Sequence, residues 1–307
     1  MTAIECHRRG RAERWSRALP SDPRVLQITV LGALLGTGAW LRDFALRPEQ
    51  CVLAFVAAIT TQWLGDRWRG EAYAGARSAA ITALSLSLLL RADGAWAHPL
   101  AAILAIGAKF LLRVRGKHLF NPGNLGVVFA LVLLPGTWVS AGQWGTDLAL
   151  AGWFVALGGL VIRRAGRTDV TLAFLTLHAT ALALRVWSLG QSAAVWIHQL
   201  QSGALLLFAF FMISDPKTIP DHARGRLAHA ALVSALAYFW QFTLYRPNSL
   251  LWALFLAAPA VPLWDALWPA AKYEWSIQGG NDEPMEVAAS GPLGRPVRSL
   301  DLARRSA

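Results

Sequence analysis

Apolar and polar residues along this chain segregate into long blocks. Mostly apolar runs of about 15–20 residues are separated by short polar stretches that hold nearly all the charge. A hydrocarbon core about 30 Å thick takes about 20 apolar residues per helical crossing. The blocks predict ten helical spans, at roughly 25–41, 49–64, 76–90, 96–112, 122–136, 147–162, 169–188, 194–213, 227–244 and 249–268. The fold class that follows is all-α, a polytopic integral membrane protein. Blocks 49–64, 76–90 and 122–136 are short, and Pro or Gly at the ends of such segments points to broken or re-entrant helices.

Composition agrees. Of 307 residues, 55% are hydrophobic and 15% charged, against about 25% charged in an ordinary soluble domain. Fifteen Trp residues fit the membrane–water interface. The net charge of +11 would point to nucleic acid in a soluble protein. Here the charge is an orientation signal. With the N-terminus inside, 23 of the 29 Lys and Arg fall on the inner side, four outside, and two (Lys109 and Arg185) within spans or at their ends. That predicts a multi-pass protein of the cytoplasmic membrane with both termini cytoplasmic. Its partner is the lipid bilayer, and no nucleic-acid partner is expected.

Three regions follow: a basic leader (1–24), a transmembrane domain (25–271) with halves 25–136 and 147–268, and a polar tail (272–307). The leader lacks an apolar core of its own and is not a cleavable signal. The tail is rich in Gly, Pro and Ser and is expected to be disordered. Cys6 and Cys51 have no pairing pattern. The seven His show no metal-ligand spacing, so no metal site is expected. His178 and His198 read as structural residues inside spans, and Lys109 as a side chain that snorkels to the interface. No nucleophile or phosphate-loop motif stands in a usable context, so no catalytic residue is assigned.

The halves resemble each other weakly. Phe120–Leu125 (FNPGNL) and Tyr245–Leu250 (YRPNSL) align on Pro122 with Pro247 and Leu125 with Leu250. Asp93 and Asp215 align after spans three and eight. Five spans per half would make this a 5+5 inverted repeat, a design that places its sites at the repeat interface near broken helices.

Two polar stretches carry the candidate chemistry, both on the predicted inner side. One is RVRGKHLFNPGN (113–124), in which Asn-Pro stops one helix and Gly123 and Asn124 allow a tight backbone and a cap for the next. The other is SDPKTIPDHARGR (214–226). A helix N-terminus beside Lys and Arg is a ready anion site, and a carboxylate such as Asp215 near the membrane needs a partner or backbone amides. Together they could form one pocket, with cations for a phosphate or an electron-rich ring and Asn or Asp for ring hydrogen bonds.

LFNPGNLG resembles the FNPA-type motif of the RnfD/NqrB family of membrane subunits, and FMISDPKTIPDHARGR resembles that family's later TDP-type motif. The resemblance runs over about residues 25–270 and is closest to a shorter branch found with enediyne biosynthesis genes. It implies a flavin-binding, ion-coupled electron-transfer subunit that works with other redox or membrane subunits and has no turnover alone. It implies cofactor contacts at Lys117, Phe120, Asn121, Pro122, Asn124, Asp215, Thr218, Arg224 and Arg226. The family's S-G-A-T stretch, whose threonine bonds FMN, is missing. Neither Thr137 nor Thr146 in the corresponding loop has its context, so the flavin (riboflavin or FMN) is expected to be non-covalent. A small-solute or ion transporter, or a membrane anchor for a biosynthetic or export assembly, are the alternatives on the same scaffold.

Overall fold

The computed structural model describes residues 22–41, 44, 46–71 and 75–275. Most of the expected leader and tail lies outside the described residues. The first tail residues that are described do touch the body: Lys217 Nζ donates to the Tyr273 carbonyl at 2.6 Å and Tyr273 N to Asp221 Oδ1 at 3.2 Å.

Helices stand at all ten apolar blocks. In the first half they are α1 (Pro23–Leu41), α2 (Pro48–Arg69), α3 (Ala76–Leu89), α4 (Ala97–Leu111) and α5 (Pro122–Leu133). In the second they are α6 (Leu148–Arg164), α7 (Thr168–Ser188), α8 (Ala193–Leu200), α9 (Gly203–Phe211), α10 (Ala223–Phe242), α11 (Ser249–Ala257) and α12 (Val261–Leu267). A 3-10 turn joins the last two into one segment. The eighth block is broken: α8 and α9 meet at 49°. The break falls at Gln201-Ser202, and a Cβ on Gly203, the first residue of α9, would sit 2.5 Å from Trp144 Cβ.

Two short antiparallel pairs accompany the helices. β1 (Leu90–Ala92) pairs with β4 (Thr137–Val139), and β2 (Arg113–Val114) with β3 (Lys117–His118). The second is a two-residue hairpin whose turn residues Arg115 and Gly116 have φ of 51° and 83°, the conformation that matches strand twist. Arg91, read from the sequence as a loop charge, is buried on β1 and donates to Ser87 O and to Gln143 Oε1, both at 2.8 Å.

α2 is turned inside out relative to a helix of a soluble bundle. On α2 the buried positions are Gln50, Ala54, Ala58, Gln62 and Asp66, one per turn. Val52, Val56, Ile59 and Trp63 are exposed. A membrane protein has lipid on its outer face, so apolar side chains need not be hidden and small residues let helices approach.

Among the described residues, two segments are long and apolar enough to cross a membrane, Thr168–Ser188 and Ser249–Leu267; the bent α8–α9 pair makes a third if it is one span. Three others have 14, 15 and 12 residues. At a rise of 1.5 Å per residue these reach only about 18–23 Å.

Three helix pairings of the first half recur in the second. α1 packs on α3, α2 on α4 and α4 on α5, just as α6 packs on α9, α7 on α10 and α10 on α11. Between the halves α1 meets α6, and α5 meets α11. The prolines aligned in the sequence do not share a position. Pro122 is the first residue of α5, whereas Pro247 precedes the cap Asn248 of α11.

Close approach makes one glycine critical. A Cβ on Gly126 would lie 2.9 Å from Ala105 Cβ and 3.0 Å from the Ala101 carbonyl, while Gly107 has nothing within 4 Å. Gly126→Ala should therefore lower stability by about 1–3 kcal/mol. Gly107→Ala should be neutral or gain up to about 1 kcal/mol. Thermal unfolding in detergent reads both, and equal melting temperatures would contradict the α4–α5 contact.

Candidate functional site

The site begins with the way α5 starts. Asn121 has extended backbone and its Oδ1 accepts from Asn124 N at 2.9 Å, with Pro122 following. That fixes the Asn121 side chain and leaves its Nδ2 free to donate elsewhere. It donates to Asp215 Oδ2 at 3.1 Å. Asp215 lies just beyond α9, where its Oδ1 accepts from Lys217 N at 3.1 Å. The two polar stretches therefore meet at this site through a side-chain hydrogen bond between the halves of the chain.

Asn121, Pro122 and Asp215 line a cavity of about 360 Å³. Its basic groups are Arg24, Lys109, Arg113 and Lys217, and its acidic ones Asp66, Glu71 and Asp215. Trp275 stands at its edge under Arg24, whose guanidinium carbon is 5.2 Å from the ring centroid. Burial pushes the Asp215 carboxyl up, against the opposing pull of the Lys217 amide and Thr218. Burial, reinforced by Lys109 and Arg113, pushes the His118 imidazole down to about 3, so His118 lines the cavity as a neutral ring.

The deepest wall is a buried polar chain on α2, α3 and α4. Lys109 Nζ donates to Gln62 Oε1 at 2.6 Å and to Ser78 Oγ at 3.0 Å. Gln62 Nε2 donates to Asp66 Oδ1 at 2.8 Å. Asp66 Oδ2 is buried without a partner. Charged groups at such a place are costly and mark function in membrane proteins. Here Gln62 bridges an ammonium and a carboxylate that do not touch.

Residues 139–274 match the NQR2, RnfD, RnfE family. That stretch holds Asp215 and begins after Asn121. Two proteins named as components of the ion-translocating oxidoreductase complex align with parts of the chain: 34% identity over 112 residues in Vibrio atlanticus (strain LGP32) and 39% over 157 residues in Escherichia coli (strain K12). A protein of the same name from Shigella flexneri is 27% identical, covering 79% of this chain and 91% of that one. The chain is RnfD-like. Its matches with the first two proteins span 32% and 42% of their lengths, and 36% and 51% of its own.

Three of the nine residues expected at the site of this RnfD-like chain line the cavity: Asn121, Pro122 and Asp215. The other six do not. Lys117 Nζ is held by Asp265 Oδ2 at 2.8 Å, Asp221 Oδ2 at 3.0 Å and the Ile219 carbonyl at 2.7 Å. Phe120 stacks on Phe255 at 5.0 Å. Asn124 Nδ2 donates to the Leu251 carbonyl at 3.1 Å, tying α5 to α11. Thr218 donates to the Asp215 carbonyl at 3.3 Å. Arg224 is exposed. Arg226 Nε donates to Asp169 Oδ2 at 2.7 Å, clamping α10 to the start of α7.

Arg226→Ala should therefore lower the melting temperature, as a charged hydrogen bond contributes about 1.5–3 kcal/mol. Arg224→Ala should change stability by less than about 0.5 kcal/mol. The same ranking is expected without any ligand present, which separates a clamp from a binding residue.

Sequence reading missed Gln62, Asp66, Ser78 and the inward direction of Lys109. The only signal was the i,i+4 spacing of Gln62 and Asp66 on an otherwise apolar helix. Thr137 donates to the Ala130 and Leu134 carbonyls at 2.9 and 2.8 Å. Among the described residues no three His, Cys, Asp or Glu gather as a metal site requires.

Proposed function

We propose that this chain is a flavin-binding electron-transfer subunit that crosses the cytoplasmic membrane ten times, with its basic end and both termini in the cytoplasm. The observation that carries the reading is the Asn121–Asp215 hydrogen bond in the cavity wall, because it joins the two stretches that resemble the family's motifs. The three helix pairings common to the halves, and the meeting of first with first and fifth with fifth helices, support an inverted repeat. The short helices then pass the bilayer together with the strands and turns at their ends, of which β1 lies buried in protein, as irregular backbone at membrane depth must.

The residues fit a flavin. A cavity of about 360 Å³ lies in the range of small-molecule sites, about 300–1,000 Å³. The orphaned Asp66 Oδ2 is an acceptor for an N–H, Asn121 and Asp215 present a hydrogen-bonding edge, and Trp275 offers a ring face. Arg24, Arg113 and Lys217 would hold a phosphate, so FMN is favoured over riboflavin. When bound, a flavin supplies one- and two-electron transfer. The chain's own residues bind it, orient it and keep it from bulk water. Other redox or membrane subunits would donate and accept the electrons. Attachment is non-covalent, since the S-G-A-T stretch is missing and the Thr137 hydroxyl is engaged by backbone carbonyls.

The test is equilibrium dialysis of the detergent-purified protein against FMN and riboflavin. About one flavin per chain should be retained, FMN more tightly. Retention of neither would overturn the reading. The ion-transporter alternative is favoured by the buried Lys109–Gln62–Asp66 chain. Ion flux into liposomes by the flavin-free chain alone would decide for it.

A further inference from the structure

A smaller cavity, of about 180 Å³, opens between the β2–β3 hairpin and the end of α12. Arg115 lines it from the hairpin turn, Asp265 from α12 and Lys272 from the segment that follows, and Lys117 and Asp221 complete its charged lining. His118 also lines it and is neutral. Three cations against two carboxylates leave a net charge of +1.

The carboxylates here are already engaged. Asp221 accepts from Tyr273 N and Lys117 Nζ, and Asp265 from Asp221 N and Lys117 Nζ. Each of their oxygens therefore has a donor. The outer cations are not engaged in this way. Lys272 Nζ donates to the Arg115 carbonyl at 2.6 Å, which leaves it protons to donate elsewhere. Arg115 is exposed, and among the described residues its guanidinium has no partner. The cavity thus offers N–H donors in excess of acceptors, and its surplus charge suits a monoanion.

The surroundings point to the source of that anion. Trp264 and Trp268, at the end of α12, stack at 5.8 Å, and Trp at a helix end favours the membrane–water interface. Leu263 and Leu267 on α12 are 55% and 56% exposed, and Leu111 at the end of α4 is 73% exposed. Apolar surface that lipid would cover therefore adjoins a polar cavity with unused donors. Basic pockets between helices at the cytoplasmic face take anionic headgroups. The cavity is smaller than the about 300–1,000 Å³ of sites that enclose a whole small molecule, so it suits a headgroup whose chains stay outside. We propose that this cavity holds the phosphodiester of an anionic phospholipid, with Arg115 and Lys272 donating to its oxygens and the acyl chains lying along Leu263 and Leu267. The inference rests on the membrane crossing proposed above and is independent of the flavin, which concerns the other cavity.

Native mass spectrometry of the detergent-purified full-length protein, titrated with dioleoyl-phosphatidylglycerol or dioleoyl-phosphatidylcholine, tests this. The first phosphatidylglycerol should bind about tenfold or more tightly than the first phosphatidylcholine. Arg115→Gln combined with Lys272→Gln should remove that preference. Arg115→Gln alone, which changes one exposed side chain, should weaken it about threefold or more and serves should the double variant fail to fold. Arg224→Gln removes another exposed cation that does not line the cavity, and it should leave the preference unchanged. Glycerol 3-phosphate, which carries a phosphate without chains, should bind about tenfold or more weakly than phosphatidylglycerol. Equal binding of the two lipids, a wild-type preference in Arg115→Gln, an equal loss in Arg224→Gln, or equal binding of glycerol 3-phosphate would overturn the proposal, the last by assigning the cavity to a soluble phosphate.

Discussion

Lys117→Met will unfold at a melting temperature on the order of 10 °C below wild type. One ammonium, 12% exposed, sits between Asp221 and Asp265, whose side chains are 5% and 16% exposed. Removing the cation leaves two shielded carboxylates facing each other, and breaking such a buried pair from one side costs about 3–5 kcal/mol. Asp221 also accepts from Tyr273 N, and Asp265 from Asp221 N, so the loss spreads to the segment after α12. Adding Asp221→Asn and Asp265→Asn to Lys117→Met should recover part of the loss, because neutral groups tolerate the site. Thermal unfolding in detergent measures both steps. A melting temperature within about 2 °C of wild type for Lys117→Met would show that the cluster is not a clamp.

If the chain binds flavin as proposed, Asp215→Ala will weaken that binding about tenfold or more, the effect of removing one partner from a buried hydrogen bond of about 1–3 kcal/mol. Asp215 holds Asn121 Nδ2 and accepts from Lys217 N, so its loss releases two groups at once. Asp215→Asn keeps the shape and removes the charge. It should retain binding better than the alanine variant if geometry dominates, and match it if charge does. Dialysis against FMN reads both, and wild-type affinity in Asp215→Ala would remove Asp215 from the site.

The helix positions were legible because lipid imposes long apolar blocks, and all ten blocks became helices. Their ends were not. α2 runs on to Arg69 because Gln62 and Asp66 are polar residues on its buried face, the reverse of what block hydropathy assumes. The α8–α9 break was invisible because block hydropathy runs unbroken across it, and the residue packed against Gly203, Trp144, is nearly 60 residues away in sequence. Asn121 and Asp215 were legible from helix-stop chemistry, since a cap and a carboxylate beside a membrane need partners and found each other. Lys117 and Arg226 were expected at the site because the resemblance was carried over position by position, and the local backbone turns both elsewhere. The hairpin at Arg115-Gly116 sends Lys117 to Asp265, and the first turn of α10 sends Arg226 to Asp169. Lys109 was read as snorkelling because its acceptor, Gln62, is 47 residues earlier.

The most direct test of a non-covalent flavin site is the absorbance spectrum of the detergent-purified protein, repeated on pellet and supernatant after acid precipitation. The expected result is a flavin band that leaves with the supernatant. A flavin band held in the pellet would contradict non-covalent binding, and no flavin at any stage, with FMN and riboflavin supplied throughout purification, would contradict the flavin site itself.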